Sequence, residues 1–196
     1  MSGRFNNRPE LSDRHFTLRP LREDNREALA AAAADPGIWA GHPVKDRFKR
    51  DVFDPYFDFL LSAGGALAIR EAETDRVVGC SRFYSSSDIL GCVAIGFTFL
   101  TRDHWGGDAN RRVKRMMLNH AFSDFDAVWF HIAPDNLRSR KATEKLGAAL
   151  VDIGSFRLTN ETAEWARYRL TREVWEARET WAARSGARAP KDGGRR

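Results

Sequence analysis

The sequence lacks any apolar run approaching the roughly 18 residues that cross a bilayer. No membrane-spanning helix is therefore expected. The opening stretch MSGRFNNRPELSDR has no apolar core of the kind a secretory signal needs, so the expected compartment is the cytoplasm. Cysteine is scarce, with only Cys80 and Cys92 in 196 residues. Both stand in apolar, strand-like surroundings, which reads as two free buried thiols and not as a disulfide or a nucleophile. The five histidines are scattered, and neither His-x-x-x-His nor Cys-x-x-Cys occurs, so no metal is expected. A Walker loop is missing too. Gly106 and Gly107 open a helix, but no Gly-Lys-Ser/Thr comes after them, and the third glycine of a dinucleotide fingerprint is absent. There is no internal repeat.

What is present fits a soluble chain with one core. Hydrophobic residues make up 42% and charged residues 30% of the sequence. The net charge is +5, which admits nucleic acid, a membrane surface or a small anion as partners. Part of the excess lies in residues 185–196, expected to be a disordered basic tail. The remaining basic residues are not interleaved with aromatics in an RNA-binding pattern, and no DNA-reading motif occurs. This argues against nucleic acid.

Residues 1–14 read as a flexible N-terminal tail. A strand begins at His15 and leads into an alanine-rich helix that Pro36-Gly37 should stop. Phe48, Val52, Tyr56, Phe59 and Leu60 recur at helical spacing, giving a second helix over Arg50 to Ser62, with Pro55 starting or kinking it. GALAIREA, RVVGCSRFYS and CVAIGFTFL form an antiparallel meander, and Gly96 marks a bulge or a close backbone approach. Val113, Met116, Met117, His120 and Ala121 then define an amphipathic helix. AVWFHIA is a strand, PDNLRSRKATEKLGA a helix, and two more strands and a last helix over 173–184 complete the chain. The strands at 92–100 and 127–133 flank a helix and should be parallel. The expected fold is α/β (α+β): one domain over 15–172, with a mixed, mostly antiparallel sheet of about six or seven strands flanked by helices.

Two helices carry charge of the wrong sign for their position. A helix start bears about half a positive charge and unpaired N–H groups. Yet one helix opens with Arg111, Arg112 and Lys114, and the other with Arg138, Arg140 and Lys141. An anion held between the two starts would account for both, with Gly106 and Gly107 letting amides approach it. A solvated Arg-rich surface is the competing explanation.

These residues resemble the GNAT acetyltransferases over roughly Thr17 to Thr171. AIGFTFLTRDHWGGDANRRVKRMML is similar to the family's fourth strand, pyrophosphate loop and adjoining helix. VWFHIAPDNLRSRKATEKLGA is similar to its fifth strand and next helix, with Asn136, Ser139, Lys145 and Gly147 in the recurrent pattern. Trp105-Gly106 and Asn136-x-x-Ser139 point to the RimJ/RimL-like branch of ribosomal-protein N-terminal acetyltransferases. The resemblance implies acetyl-CoA as cosubstrate, no metal, and a primary amine as acceptor, on a small molecule or a protein N-terminus. It implies that Phe97, Thr98 and Phe99 pair with the pantetheine arm. Trp105, Gly106, Gly107, Asp108, Ala109, Asn110 and Arg111 would take the pyrophosphate, and Asn136, Ser139 and Arg140 would also meet the cofactor. His131 stands where relatives place a candidate base, Ser139 where they place a candidate proton donor, and His42 would line the acceptor site. Such a chain would be a monomer or homodimer with no membrane contact. Three positions depart from the pattern. Asp108 lies in the loop, Ala94 replaces a residue acidic in many relatives, and Thr143 stands where many have tyrosine. Two alternatives stay open: a non-catalytic module that binds acyl-CoA or a partner, and a basic RNA- or ribosome-binding protein.

Overall fold

Along residues 66–84 the side chains alternate between two apolar environments, and this alternation sets the architecture. Ala66, Ala68 and Cys80 join one cluster, while Leu67, Ile69, Val78 and Phe83 join another. Strands do this when both faces of their sheet are covered. The computed structural model describes residues 5–86, 91–158 and 162–185. Its strands are β1 (Leu11–Ser12), β2 (Phe16–Pro20), β3 (Ala66–Glu71), β4 (Val77–Tyr84), β5 (Val93–Leu100), β6 (Ala127–Ile132), β7 (Ala149–Arg157) and β8 (Thr162–Thr171). They form one eight-stranded sheet in the order β1-β2-β3-β4-β5-β6-β8-β7. Every neighbouring pair is antiparallel except β5 and β6.

The helices are α1 (Arg26–Ala33), α2 (Pro36–Trp39), α3 (Arg50–Ala63), α4 (Ala109–Ala121), α5 (Leu137–Lys145) and α6 (Arg172–Ser185). On one face, Leu29 and Ala33 of α1 and Phe53, Phe57 and Leu60 of α3 cover the small side chains of β3 and β4. Phe53, Tyr56, Phe57 and Leu60 are the buried positions of α3, at the spacing that puts them on one stripe. Pro55 lies inside this helix, on its exposed side, and does not start it. On the other face Val113, Met117, Leu118 and Ala121 of α4 pack against Ile95, Val128 and Phe130. The chain passes from β5 through α4 to β6, the crossover that makes those two strands parallel.

Three expectations are corrected. The sheet has eight strands because Leu11 and Ser12, placed in the expected tail, pair with Leu18 and Thr17. Phe5 packs its ring 5.5 Å from Phe83 and 4.9 Å from Phe125. A two-residue strand has no periodicity to read. Pro36-Gly37 begins α2 instead of only ending α1, since Asp35 accepts a bond from the Gly37 amide at 2.8 Å. The buried stripe of α4 is turned toward Lys114 and Leu118, leaving Met116 and His120 half-buried. Residues 186–196 of the expected basic tail lie outside the described residues.

Candidate functional site

β5 and β6 are paired only at Val93–Val128 and Ala94–Trp129. Beyond these pairs they part. The cause lies on the other edge of β5, where the register against β4 shifts between Cys80 and Arg82. Phe97 sits in this bulge with φ +53°, a left-handed conformation that a bulky residue adopts at a cost. A bulge bends its strand and re-aims the residues beyond it. From Ile95 to Leu100, β5 keeps β4 on one edge and has no strand on the other.

Several side chains fix the bulge. The Phe97 carbonyl accepts from the Cys80 thiol at 3.4 Å and, at the long distance of 3.5 Å, from the Tyr56 hydroxyl. Thr98 and Ser81 share a hydroxyl–hydroxyl bond of 2.7 Å behind it, and the buried Lys114 ammonium donates to Thr98 Oγ1 at 2.6 Å. Burial pushes the Cys80 thiol up to about 12, which removes it as a nucleophile. At Gly96 a side chain would meet the Tyr84 ring at 3.0 Å, so the close approach expected there is made by Tyr84.

Tyr84 leads to His131. Its hydroxyl lies 2.8 Å from His131 Nδ1, and both residues are buried. Phe130 and Ile132 enter the core below the sheet, so the alternation of β6 leaves His131 on the opposite face. Arg82 lies on the same side as Tyr84. It stacks on Phe59, Tyr84 and Phe97 and donates to the carbonyls of Gly64 and Ala63 at the end of α3. Arg167 pairs with Asp152 and lies 4.1 Å over the Phe156 ring.

The loop before α4 is built around two residues. Trp105 Nε1 donates to the Leu100 carbonyl at 2.9 Å, and Gly106 takes φ +75°, where an L side chain is strained. Asp108 occupies the helix cap, but its carboxylate makes no cap bond. It accepts instead from Arg112 Nε at 2.7 Å, and Arg112 also pairs with Asp13 at 3.3 Å. Asp108 is thus turned along the outside of α4.

The basic residues expected to form an anion clamp do not pool their charge. Arg111 pairs with Glu179 of α6 at 3.8 Å, and Arg112 is held by two aspartates. Arg140 donates to the Tyr168 hydroxyl and to the Pro134 carbonyl. Arg138 lies 3.8 Å over the Trp105 ring and donates to the Ile38 carbonyl at 3.2 Å. What α4 offers an anion is therefore mainly its uncapped first amides, including those of Ala109, Asn110 and Arg111. Replacing Asp108 with alanine removes a like charge beside them. An anion held there, such as the pyrophosphate of the acetyl-CoA that the resemblance implies, should bind about two- to fivefold tighter at low salt, and the gain should vanish in concentrated salt, because an exposed charge is screened. Calorimetry at two ionic strengths checks this; weaker binding would mean that Asp108 supports the loop.

At α5, Asn136 is buried and caps the helix, its Oδ1 accepting from the Ser139 amide at 3.2 Å. Among the described residues its side-chain amide nitrogen has no hydrogen-bond partner. The Ser139 hydroxyl has no protein partner among the described residues. Thr143, where a tyrosine was the family expectation, is buried. His42 lies near this helix start. Burial and the neighbouring charges of Arg47 and Arg138 push its pKa down to about 4, so the ring is neutral at ordinary pH.

The sequence reading missed three features. Glu71, Asp103 and His104 come within 4.8 Å of one another, but Arg76 bonds both carboxylates at 2.7 and 2.6 Å and neutralises them. Their spacing of 32 residues between Glu71 and Asp103 gives no sequence signal. Tyr84 and Arg47 were likewise not singled out, because their partners are remote in sequence or hidden in a loop.

The sequence profile of the acetyltransferase (GNAT) domain matches residues 15–149. No curated protein sequence matches the chain. Among solved structures, a GCN5-related N-acetyltransferase from Brucella melitensis is similar with a TM-score of 0.73 and 16% identity, covering 95% of this chain and 90% of that one. RimJ from Mycobacterium smegmatis, solved in complex with CoA-disulfide, is similar with a TM-score of 0.64 and 17% identity, covering 90% and 94%. An acetyltransferase from Agrobacterium tumefaciens gives 0.62 and 19%, covering 88% and 99%. At these identities the likeness is one of fold.

Proposed function

Because the chain belongs to the GNAT acetyltransferase family, we propose that it moves an acetyl group from acetyl-CoA to a primary amine by direct attack. The amine belongs to a small molecule or a protein N-terminus. The observation that carries this reading is the parted β5–β6 pair with its unpaired β5 edge. An extended amide-bearing chain can add to such an edge as a further strand would. The pantetheine arm is a chain of this kind. Phe97, Thr98 and Phe99 would pair with it, the uncapped amides of α4 would hold the pyrophosphate, and the Asn136 amide group would reach the arm. Trp105-Gly106 and Asn136-x-x-Ser139 support a place in the RimJ/RimL-like branch.

Bound acetyl-CoA supplies an activated acyl carbon. The net change is one N–C bond formed and one C–S bond broken, with a proton moved from the amine nitrogen to sulfur. His131 would accept the proton that nitrogen loses. For this the ring must keep its proton on Nδ1, donating to Tyr84 Oη, so that Nε2 carries the lone pair. Ser139 would donate to the departing sulfur and regain its proton from water. With threonine at position 143, its hydroxyl is the donor at the start of α5 that this reading uses. Backbone amides of the bulge would face the negative charge that develops on the acyl oxygen.

A second reading, an acyl-CoA-binding module without turnover, is favoured by Thr143 alone. Calorimetry with acetyl-CoA, then thiol release across a panel of amines and N-terminal peptides, separates the two. Binding with turnover is expected. Absence of binding overturns the proposal, and binding without turnover on any amine favours the module.

A further inference from the structure

His42 and Arg47 meet in an arrangement that cannot satisfy itself. A neutral imidazole has one N–H and one lone pair. The Val44 amide N–H points at His42 Nδ1 from 3.0 Å, and Arg47 Nη1 approaches Nε2 at 3.1 Å. Both neighbours are donors. If Nδ1 accepts, Nε2 carries hydrogen and faces the guanidinium; in the other tautomer Nδ1–H faces the amide. A protonated ring faces donors on both sides. In every state at least one donor-to-donor contact remains.

Arg47 is short of acceptors as well. Its Nε is buried without a hydrogen-bond partner. Burial holds its pKa below the ordinary arginine value, and among the described residues no carboxylate opposes this. Its guanidinium is nevertheless held in place, 4.0 Å over the Tyr56 ring and 5.2 Å from the Trp39 ring. A half-buried cation without a carboxylate partner is costly to keep. Two donors face each other there, His42 Nε2–H and Arg47 Nη1. A carboxylate, with two oxygens and about four lone pairs, answers both.

The place matters for chemistry. Tyr56, on which Arg47 stacks, directs its hydroxyl to the Phe97 carbonyl in the β5 bulge. An anion at Arg47 therefore lies one aromatic ring from the bulge where transfer would occur. Arg82 and Arg138 nearby have no carboxylate partner among the described residues, and Asp152 is already engaged by Arg167. Such surroundings repel a polycationic acceptor.

We propose that His42 and Arg47 form a carboxylate-binding subsite for the acceptor, so that the amine acetylated here also carries a carboxylate. A free amino acid has this chemistry, and so does a peptide N-terminus with an acidic side chain. The proposal rests on the transferase reading above, and the test keeps the two apart.

The full chain is assayed with acetyl-CoA on matched acceptors: free amino acids against their carboxamides, and peptides with aspartate against asparagine at the second position. The carboxylate member of at least one set should be preferred in kcat/KM by about 10- to 100-fold, the scale of a charge-assisted pair. The set that shows the preference identifies the source. Arg47→Met should bring the ratio near one, and Arg47→Lys should keep part of it. A ratio untouched by Arg47→Met, or a preference for polyamines, overturns the subsite while leaving the transferase intact. If no amine is turned over, calorimetric titration with the same acids and amides still decides. Binding of acids that is lost in Arg47→Met supports the subsite, and equal binding of acid and amide overturns it.

Discussion

Replacing His131 with alanine should lower kcat for acetyl transfer by about 10²- to 10³-fold, the usual contribution of a positioned base. Acetyl-CoA affinity should change little, because in the proposed arrangement the imidazole meets the amine and not the cofactor's phosphates. The wild-type rate should rise with pH through an ascending limb that reports the base. In the variant that limb should move toward the ordinary range of the free amine. Tyr84→Phe separates position from chemistry. The 2.8 Å contact to Nδ1 is lost while the ring stays, so kcat should fall about tenfold and the limb should shift without disappearing. If His131→Ala leaves the limb where it was, His131 is not the base.

Lys114→Met should stabilise the protein at neutral pH, although it deletes a charge. Lys114 is buried, and burial pushes its pKa from the ordinary 10.5 down to about 7. The folded pKa lies below the unfolded one. Between about pH 7 and pH 10.5 the unfolded chain therefore binds more protons, and stability rises with pH across that window. Below about pH 7 both states are charged and the penalty is constant. A shift of this size corresponds to an order of 3–5 kcal/mol. Against it stand the bonds to Thr98 Oγ1 at 2.6 Å and Ser81 Oγ at 3.3 Å, worth about 1 kcal/mol each. The hydroxyls keep each other and the Gly96 carbonyl as partners after the change. A net gain of about 1–3 kcal/mol at pH 7 is expected, together with loss of the rise in stability between pH 7 and pH 10. Urea unfolding at pH 6.5, 8 and 9.5 measures both. A destabilised variant that keeps the wild-type pH slope would mean Lys114 is charged and well solvated by its hydroxyls.

Local patterns in the sequence carried the fold, and remote contacts carried the site. α3 and α4 were legible because Val52, Tyr56 and Leu60, and Val113 and Met117, repeat at helical spacing along one segment, although the buried stripe of α3 runs through Phe53, Tyr56, Phe57 and Leu60. The parallel pairing of β5 with β6 could be expected from a helix between two apolar strands, and Gly96 marked the neighbourhood of the bulge. The destination of each charge could not be read in this way. Lys114 counts as a basic residue at a helix start, yet its side chain runs inward to Thr98. Arg112 stands beside a glycine loop in sequence, yet Asp13, 99 residues away, helps hold it. His131 was legible as a polar residue on the outer face of its strand. Its partner Tyr84, 47 residues earlier, was not. Arg47 lay in a stretch with no periodicity, and its meaning depends on the rings of Trp39 and Tyr56 that hold it. Pro36-Gly37 was ambiguous on physical grounds, since the same pair can close one helix and open the next.

The two residue pairs joining β5 to β6 make the sheet two plates sharing a short seam. On one side lie β1 to β5 and on the other β6, β8 and β7, with α4 packed beneath. Widening the gap past Ala94 breaks no strand pairing between the plates, because none spans it. Side-chain contacts take the place of strand pairing there, such as Arg138 on Trp105 and Tyr84 on His131. A molecule that bonds to both lips acts as a rivet. It ties the two plates together along a stretch where no backbone pairing joins them.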